Sequence, residues 1–194
     1  VWTARAVAGL TGHSGETAED AVGQAVTHGG QVFFCVVLDV DAQVGMGGDW
    51  FEGIELDEHR FAIVVGDIAG HGINAVADMV ELRAIIGSLL RNATPLEEVY
   101  PQVASLLQQG GSGPTATSCT AVTDTTADTV RYVSAGHLPP ALARPDGTVE
   151  LLEHGRQPLL GVPSTAVTPG TAPFPPGSML VIYTDGIVER RREP

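Results

Sequence analysis

Apolar positions in this chain come in short runs at two different periods, and those periods predict its elements. Around Thr17, with Asp20 three residues on, a capping-box pattern opens a stripe of Ala18, Ala21, Val22, Ala25 and Val26 that Gly29 closes; it predicts a short helix. Residues 31–40 are dense in β-branched and aromatic side chains, as expected of a strand buried on both faces. Residues 50–56 and 61–65 predict two more strands, and the polar Asp57-Glu58-His59 between them predicts an antiparallel hairpin. The second strand runs into a glycine-rich turn, Gly66-Asp67-Ile68-Ala69-Gly70-His71-Gly72, that opens a helix. In that helix Ala75, Met79, Leu82, Ile86 and Leu89 make one apolar stripe for packing on a sheet. A second helix follows from Thr94 as N-cap, Pro95 at the first position and Glu97 closing a capping box, with Leu96, Val99, Tyr100, Val103, Leu106 and Leu107 inward and Gly110 as the stop.

Strands are then expected over 115–123, 129–134, 141–144, 148–153 and 178–185, with Pro145-Asp146-Gly147 as a hairpin turn. The Pro- and Gly-rich stretch 154–177 reads as a surface connection. Strands, two adjacent helices and strands again give an α+β order, unlike the strict βαβ alternation of a nucleotide-binding sheet.

Composition narrows the function. At 194 residues the chain suits one domain, and its 24 Gly and 13 Pro fit many strands and turns. A formal charge of −13 repels a phosphate backbone and an anionic membrane alike, so no nucleic-acid partner and no membrane insertion are expected. No apolar run is long enough to span a bilayer and no export signal opens the chain, so a cytoplasmic location is expected. Cys35 and Cys119 sit in apolar runs without a second ligand at metal spacing, as buried structural thiols do. The first residue is Val, and the last lies nine positions after Asp185, as expected of a piece of something longer.

Three acids stand out at predicted strand ends: Asp49, Asp67 and Asp185. A hairpin would bring Asp49, at the start of its first strand, beside Asp67 at the end of its second. Mg²⁺ and Mn²⁺ prefer oxygen ligands, and a pair of such ions can activate water for in-line attack on phosphorus with no protein nucleophile. Two of these acids have a plainer reading: Asp67 as a helix N-cap and Asp185 as a turn residue. His71 reads either as a proton donor or as a holder of its turn, and His137 as a turn-locking residue. Gly45-Met46-Gly47-Gly48 lacks the strand-to-helix setting of a dinucleotide loop. Arg190 to Arg192 reads as a solvated helix start. A two-metal nuclease would share the chemistry but conflicts with the acidic charge.

Four ordered motifs sharpen this picture. They are Gly47-Gly48-Asp49-Trp50-Phe51-Glu52, the Gly66 to Gly72 turn, Ser134-Ala135-Gly136-His137-Leu138-Pro139-Pro140 and Tyr183-Thr184-Asp185-Gly186-Ile187-Val188-Glu189. Together they resemble the bacterial SpoIIE/RsbU branch of the PPM-type, metal-dependent Ser/Thr protein phosphatases. The resemblance implies a phosphatase domain over 31–194 after a lead-in over 1–30. It also implies a four-layer αββα sandwich of two antiparallel sheets flanked by helices.

It further implies a centre of two divalent cations, Mn²⁺ or Mg²⁺, held by Asp49, Asp67, Asp185 and the backbone carbonyl of Ile68. The implied substrate is a phosphoserine or phosphothreonine on an anti-sigma-factor antagonist, in sigma-factor regulation of a stress response. N-terminal sensory domains in the full-length protein and a homodimer are compatible with this branch. The motifs depart from the family in three places. Phe51-Glu52 replaces the commoner Tyr-Asp, the family's late Asp-Asp segment is not in this sequence, and Ile68-Ala69 separates Asp67 from Gly70-His71. The alternative is a catalytically weak or inactive module of the same fold that binds a phosphoprotein.

Overall fold

The computed structural model describes residues 21–28, 31–38, 48–70, 72–109, 114–162 and 168–184, the first two segments by backbone pairing alone. Two sheets and two helices make up this α+β fold. The first sheet contains β1 (Ala21–His28), β2 (Gln31–Leu38), β7 (Ala141–Ala143), β8 (Val149–Leu151) and β11 (Met179–Tyr183), in the order β1-β2-β11-β7-β8. The second contains β3 (Trp50–Glu55), β4 (Arg60–Ile68), β5 (Ala116–Asp124), β6 (Thr129–Ala135) and β10 (Gly170–Pro173), in the order β10-β6-β5-β4-β3, and β9 (Arg156–Gln157) pairs with β6. Neither sheet is purely antiparallel. β11 runs parallel to β2, and β9 parallel to β6.

Side-chain alternation along β4 builds two cores. Phe61, Ile63 and Val65 join Cys119, Ala121, Tyr132, Leu142, Leu180 and Ile182 between the sheets. Ala62, Val64 and Ile68 face the other way, onto α1 (Ile73–Arg91) and α2 (Leu96–Gln109). Among the described residues the layers are therefore helices, sheet and sheet; the expected fourth layer lies outside them. In α1 the buried positions are Ala75, Leu82, Ile86, Gly87 and Leu90, and Met79 and Leu89 of the expected stripe pack half-buried against the same core. Glu52 on β3 holds α1 to the sheet edge through Arg83 at 3.2 Å and Arg91 at 2.5 Å. A buried relay ties α2 to the strands. Ser118 Oγ donates to the Val65 carbonyl (2.9 Å) and accepts from the Tyr100 hydroxyl (3.0 Å), which leaves the Thr120 hydroxyl to donate to Tyr100 (2.8 Å).

Two expectations are overturned. The predicted helix ending at Gly29 is, over 21–28, a strand in antiparallel register with β2, His28 against Gln31 and Ala21 against Leu38. The two residues left between His28 and Gln31 are both glycine, a hairpin signature, and pairing with a Val-rich neighbour outweighs a weak helical stripe that contains Gly23. The stretch 154–177 is not a plain surface connection. It supplies β9 and β10, and it sinks Phe174 and Leu160 into the interior. The Pro145-Asp146-Gly147 turn forms as expected, with Asp146 Oδ1 accepting from the Thr148 amide (2.9 Å) and hydroxyl (2.7 Å).

Candidate functional site

The hairpin of β3 and β4 delivers two of the three acids to one place. Trp50 pairs with Gly66, and one further step of that register sets Asp49 opposite Asp67. Parity along the strands puts both on the inter-sheet face, in line with Phe51 and with Phe61, Ile63 and Val65. Both carboxyl-bearing residues are half-buried. Gly48 makes their approach possible. The Ile68 N–H donates to its carbonyl at 3.3 Å, and a Cβ on Gly48 would stand 2.6 Å from the Ile68 carbonyl oxygen and 3.3 Å from Asp67 Oδ1.

Asp67 belongs to β4 itself, not to the turn beyond it, and it pairs with Thr117 on β5. Helix α1 begins later, with Gly72 as N-cap at φ 90° and no side-chain cap bond, so Asp67 does not cap it. Gly66 serves the packing of Trp50. A Cβ there would lie 2.2 Å from the Trp50 ring, so this glycine makes room for the indole.

The third acid, Asp185, lies outside the described residues, as does His71. Strand β11 is described as far as Tyr183, with Thr184 buried just beyond it. Burial pushes the Tyr183 phenol above its ordinary range. Among the described residues, no group of three or more His, Cys, Asp or Glu side chains forms a metal cluster. The donors present are nonetheless of one kind. Two carboxylates and the Ile68 carbonyl are hard oxygen ligands, in a cradle kept open by a glycine that a larger residue would fill, and this fits a Mg²⁺- or Mn²⁺-like cation.

His137 does more than lock its turn. The turn is held by Ser134, whose hydroxyl donates to the His137 carbonyl at 2.8 Å, and by Gly136 at φ 63°. The residue is only 4% exposed, and its ring lies 2.8 Å from Thr117 Oγ1 and 3.0 Å from the Tyr183 carbonyl. Thr117 is the residue that sequence reasoning missed. Its signal was a polar run, Thr115-Ala116-Thr117-Ser118-Cys119-Thr120, in a strand that is otherwise interior. Cys119 is a free, buried thiol, as expected. No described helix is long and apolar enough to cross a membrane.

Comparison with known proteins identifies the family and the fold. A family model described as Stage II sporulation protein E (SpoIIE) matches residues 57–194. The phosphoserine phosphatase RsbP of Bacillus subtilis (strain 168) is 27% identical over 157 residues, covering 77% of this chain and 38% of that protein. The crystal structure of the RsbU and RsbW domains of Rv1364c from Mycobacterium tuberculosis superimposes with a TM-score of 0.72 and 29% identity, over 90% of this chain and 46% of that one. A structure of the PP2C phosphatase domain of SpoIIE from Bacillus subtilis, with a fragment of its regulatory domain, shares the fold at a TM-score of 0.65 and 19% identity. It covers 76% of this chain and 43% of that one. The chain therefore spans less than half the length of each.

Proposed function

Because the chain belongs to the SpoIIE family, in the SpoIIE/RsbU branch of the PPM-type phosphatases, we propose that it is a metal-dependent phosphoprotein phosphatase. Its substrate on this reading is phosphoserine or phosphothreonine on an anti-sigma-factor antagonist, within sigma-factor regulation. The observation that carries the reading is the juxtaposition of Asp49 and Asp67 at one end of the β3–β4 hairpin, with the Ile68 backbone packed against Gly48. PP2C-type phosphatases are metal-dependent.

Asp49, Asp67, the Ile68 carbonyl and Asp185 would hold two divalent cations, Mn²⁺ or Mg²⁺. When bound, such ions acidify water and offset charge on a phosphoryl group. The chain's own contribution is positional. Asp67 on β4 and Asp49, one residue before β3, have little freedom to separate, because the Gly48–Ile68 backbone contact holds the two ends together. Rigid strand ends thus fix the ligand spacing before any ion arrives.

The test is release of phosphate from a phosphoserine peptide in the presence of Mn²⁺. Asp67→Asn is expected to lower turnover by about a hundredfold or more while leaving the circular dichroism spectrum unchanged. Equal turnover by the variant and the parent overturns the reading. Absence of turnover in both, with phosphopeptide binding that survives excess chelator, establishes instead a docking module of the same fold.

A further inference from the structure

The His137 ring is placed where the two sheets meet. One of its nitrogens reaches Thr117 on β5, the register partner of Asp67; the other reaches the carbonyl of Tyr183, the last residue of β11. A carbonyl only accepts, so Nε2 carries the proton and donates to Tyr183; in the neutral ring Nδ1 then accepts from the Thr117 hydroxyl. The backbone that carries the ring is held as well. A Cβ on Gly136 would meet Leu159 at 2.3 Å, and Ser134 holds the His137 carbonyl.

The geometry points to His137 as a positioning residue for the metal site, through Thr117 on one side and the Tyr183 backbone on the other. This rests on the reading of Asp49, Asp67 and Asp185 as ligands. The core between the sheets is apolar, and apolar contact is non-directional, so it sets the distance between sheets more firmly than their lateral offset. The His137–Tyr183 hydrogen bond spans that gap and the Thr117 hydrogen bond anchors the ring to the sheet that carries Asp67, so together they fix the offset. One end of the bridge is paired with Asp67, and the other lies two residues before Asp185. His137 thereby ties the strand that carries Asp67 to the end of β11 in the other sheet, without touching the reacting phosphate.

Titration of the chain with Mn²⁺ by calorimetry tests this, using Thr117→Val, Thr117→Ser, His137→Ala and the Thr117→Val/His137→Ala double variant, with Asp67→Asn as reference. Thr117→Val and His137→Ala are each expected to weaken Mn²⁺ binding by about tenfold or more, Thr117→Ser to retain parental affinity, and the double variant to be no weaker than His137→Ala. Ring ¹⁵N shifts of the metal-free parent should report the Nε2–H tautomer. If His137→Ala does not fold, the Thr117 pair decides, because valine matches threonine in shape. Parental affinity in Thr117→Val, while Asp67→Asn loses the metal, overturns the inference alone; so does an Nδ1–H tautomer. A parent that binds Mn²⁺ no better than Asp67→Asn overturns the phosphatase reading and this inference together.

Discussion

Gly48 closes on Ile68 more tightly than any side chain would allow: the Ile68 amide donates to the Gly48 carbonyl at 3.3 Å, and the space for a Cβ is taken by the Ile68 carbonyl oxygen. The contact is backbone against backbone, so no rotamer change can relieve an added methyl group.

Gly48→Ala is therefore expected to push the Asp49 loop away from β4. The strain should cost about 1–3 kcal/mol of stability, seen as a lower melting temperature. It should also weaken Mn²⁺ binding, because the two carboxylates separate. A variant with parental melting and affinity would show that this contact does not set their spacing.

Removing the phenol of Tyr100 breaks the buried relay at its centre. Tyr100→Phe leaves the Thr120 hydroxyl without its acceptor and Ser118 Oγ without a donor, at a cost of about 1–3 kcal/mol in urea unfolding. Adding Thr120→Val should recover part of that loss, since the stranded hydroxyl is then gone. No recovery would mean that the penalty lies in packing.

Alkaline pH should destabilise the fold through buried groups on both faces of β5. Burial pushes the Cys119 thiol up to about 12 from an ordinary value of 9.0, and raises Tyr100 as well. The folded chain holds these protons more tightly than the unfolded chain. Their contribution is complete below about pH 9 and is lost as pH rises toward 12. The unfolding free energy from urea titration at pH 10.5 should fall below that at pH 8, by up to about 2 kcal/mol from Cys119, and Cys119→Ala should flatten the slope. A pH-independent unfolding free energy across this range would contradict the assignment.

The β3–β4 hairpin was legible because its signals are local. Apolar runs flank a polar turn, and Asp57 Oδ1 closes that turn by accepting from the amides of His59 and Arg60 at 2.9 and 2.8 Å. The approach of Asp49 to Asp67 follows from that register. The strand over 21–28 was hidden because its spacing of Ala and Val suits a helix, and only pairing with β2 decides between them. β10 was masked by flanking prolines, which an edge strand tolerates. The bridge through His137 could not be read at all. Its partners lie 20 and 46 positions away, on strands of different sheets.

The placement of β11 between β2 and β7, with Met179 against Val32, bears on biosynthesis. As the chain leaves the ribosome, the hairpin of β1 and β2 emerges long before the strand that will cover its inner side. Until then β2 offers a row of unpaired amides and carbonyls to any passing neighbour. Nascent chains of this protein therefore pass through a stage in which mispairing competes with completion, and the yield of native material should rise with chaperone supply.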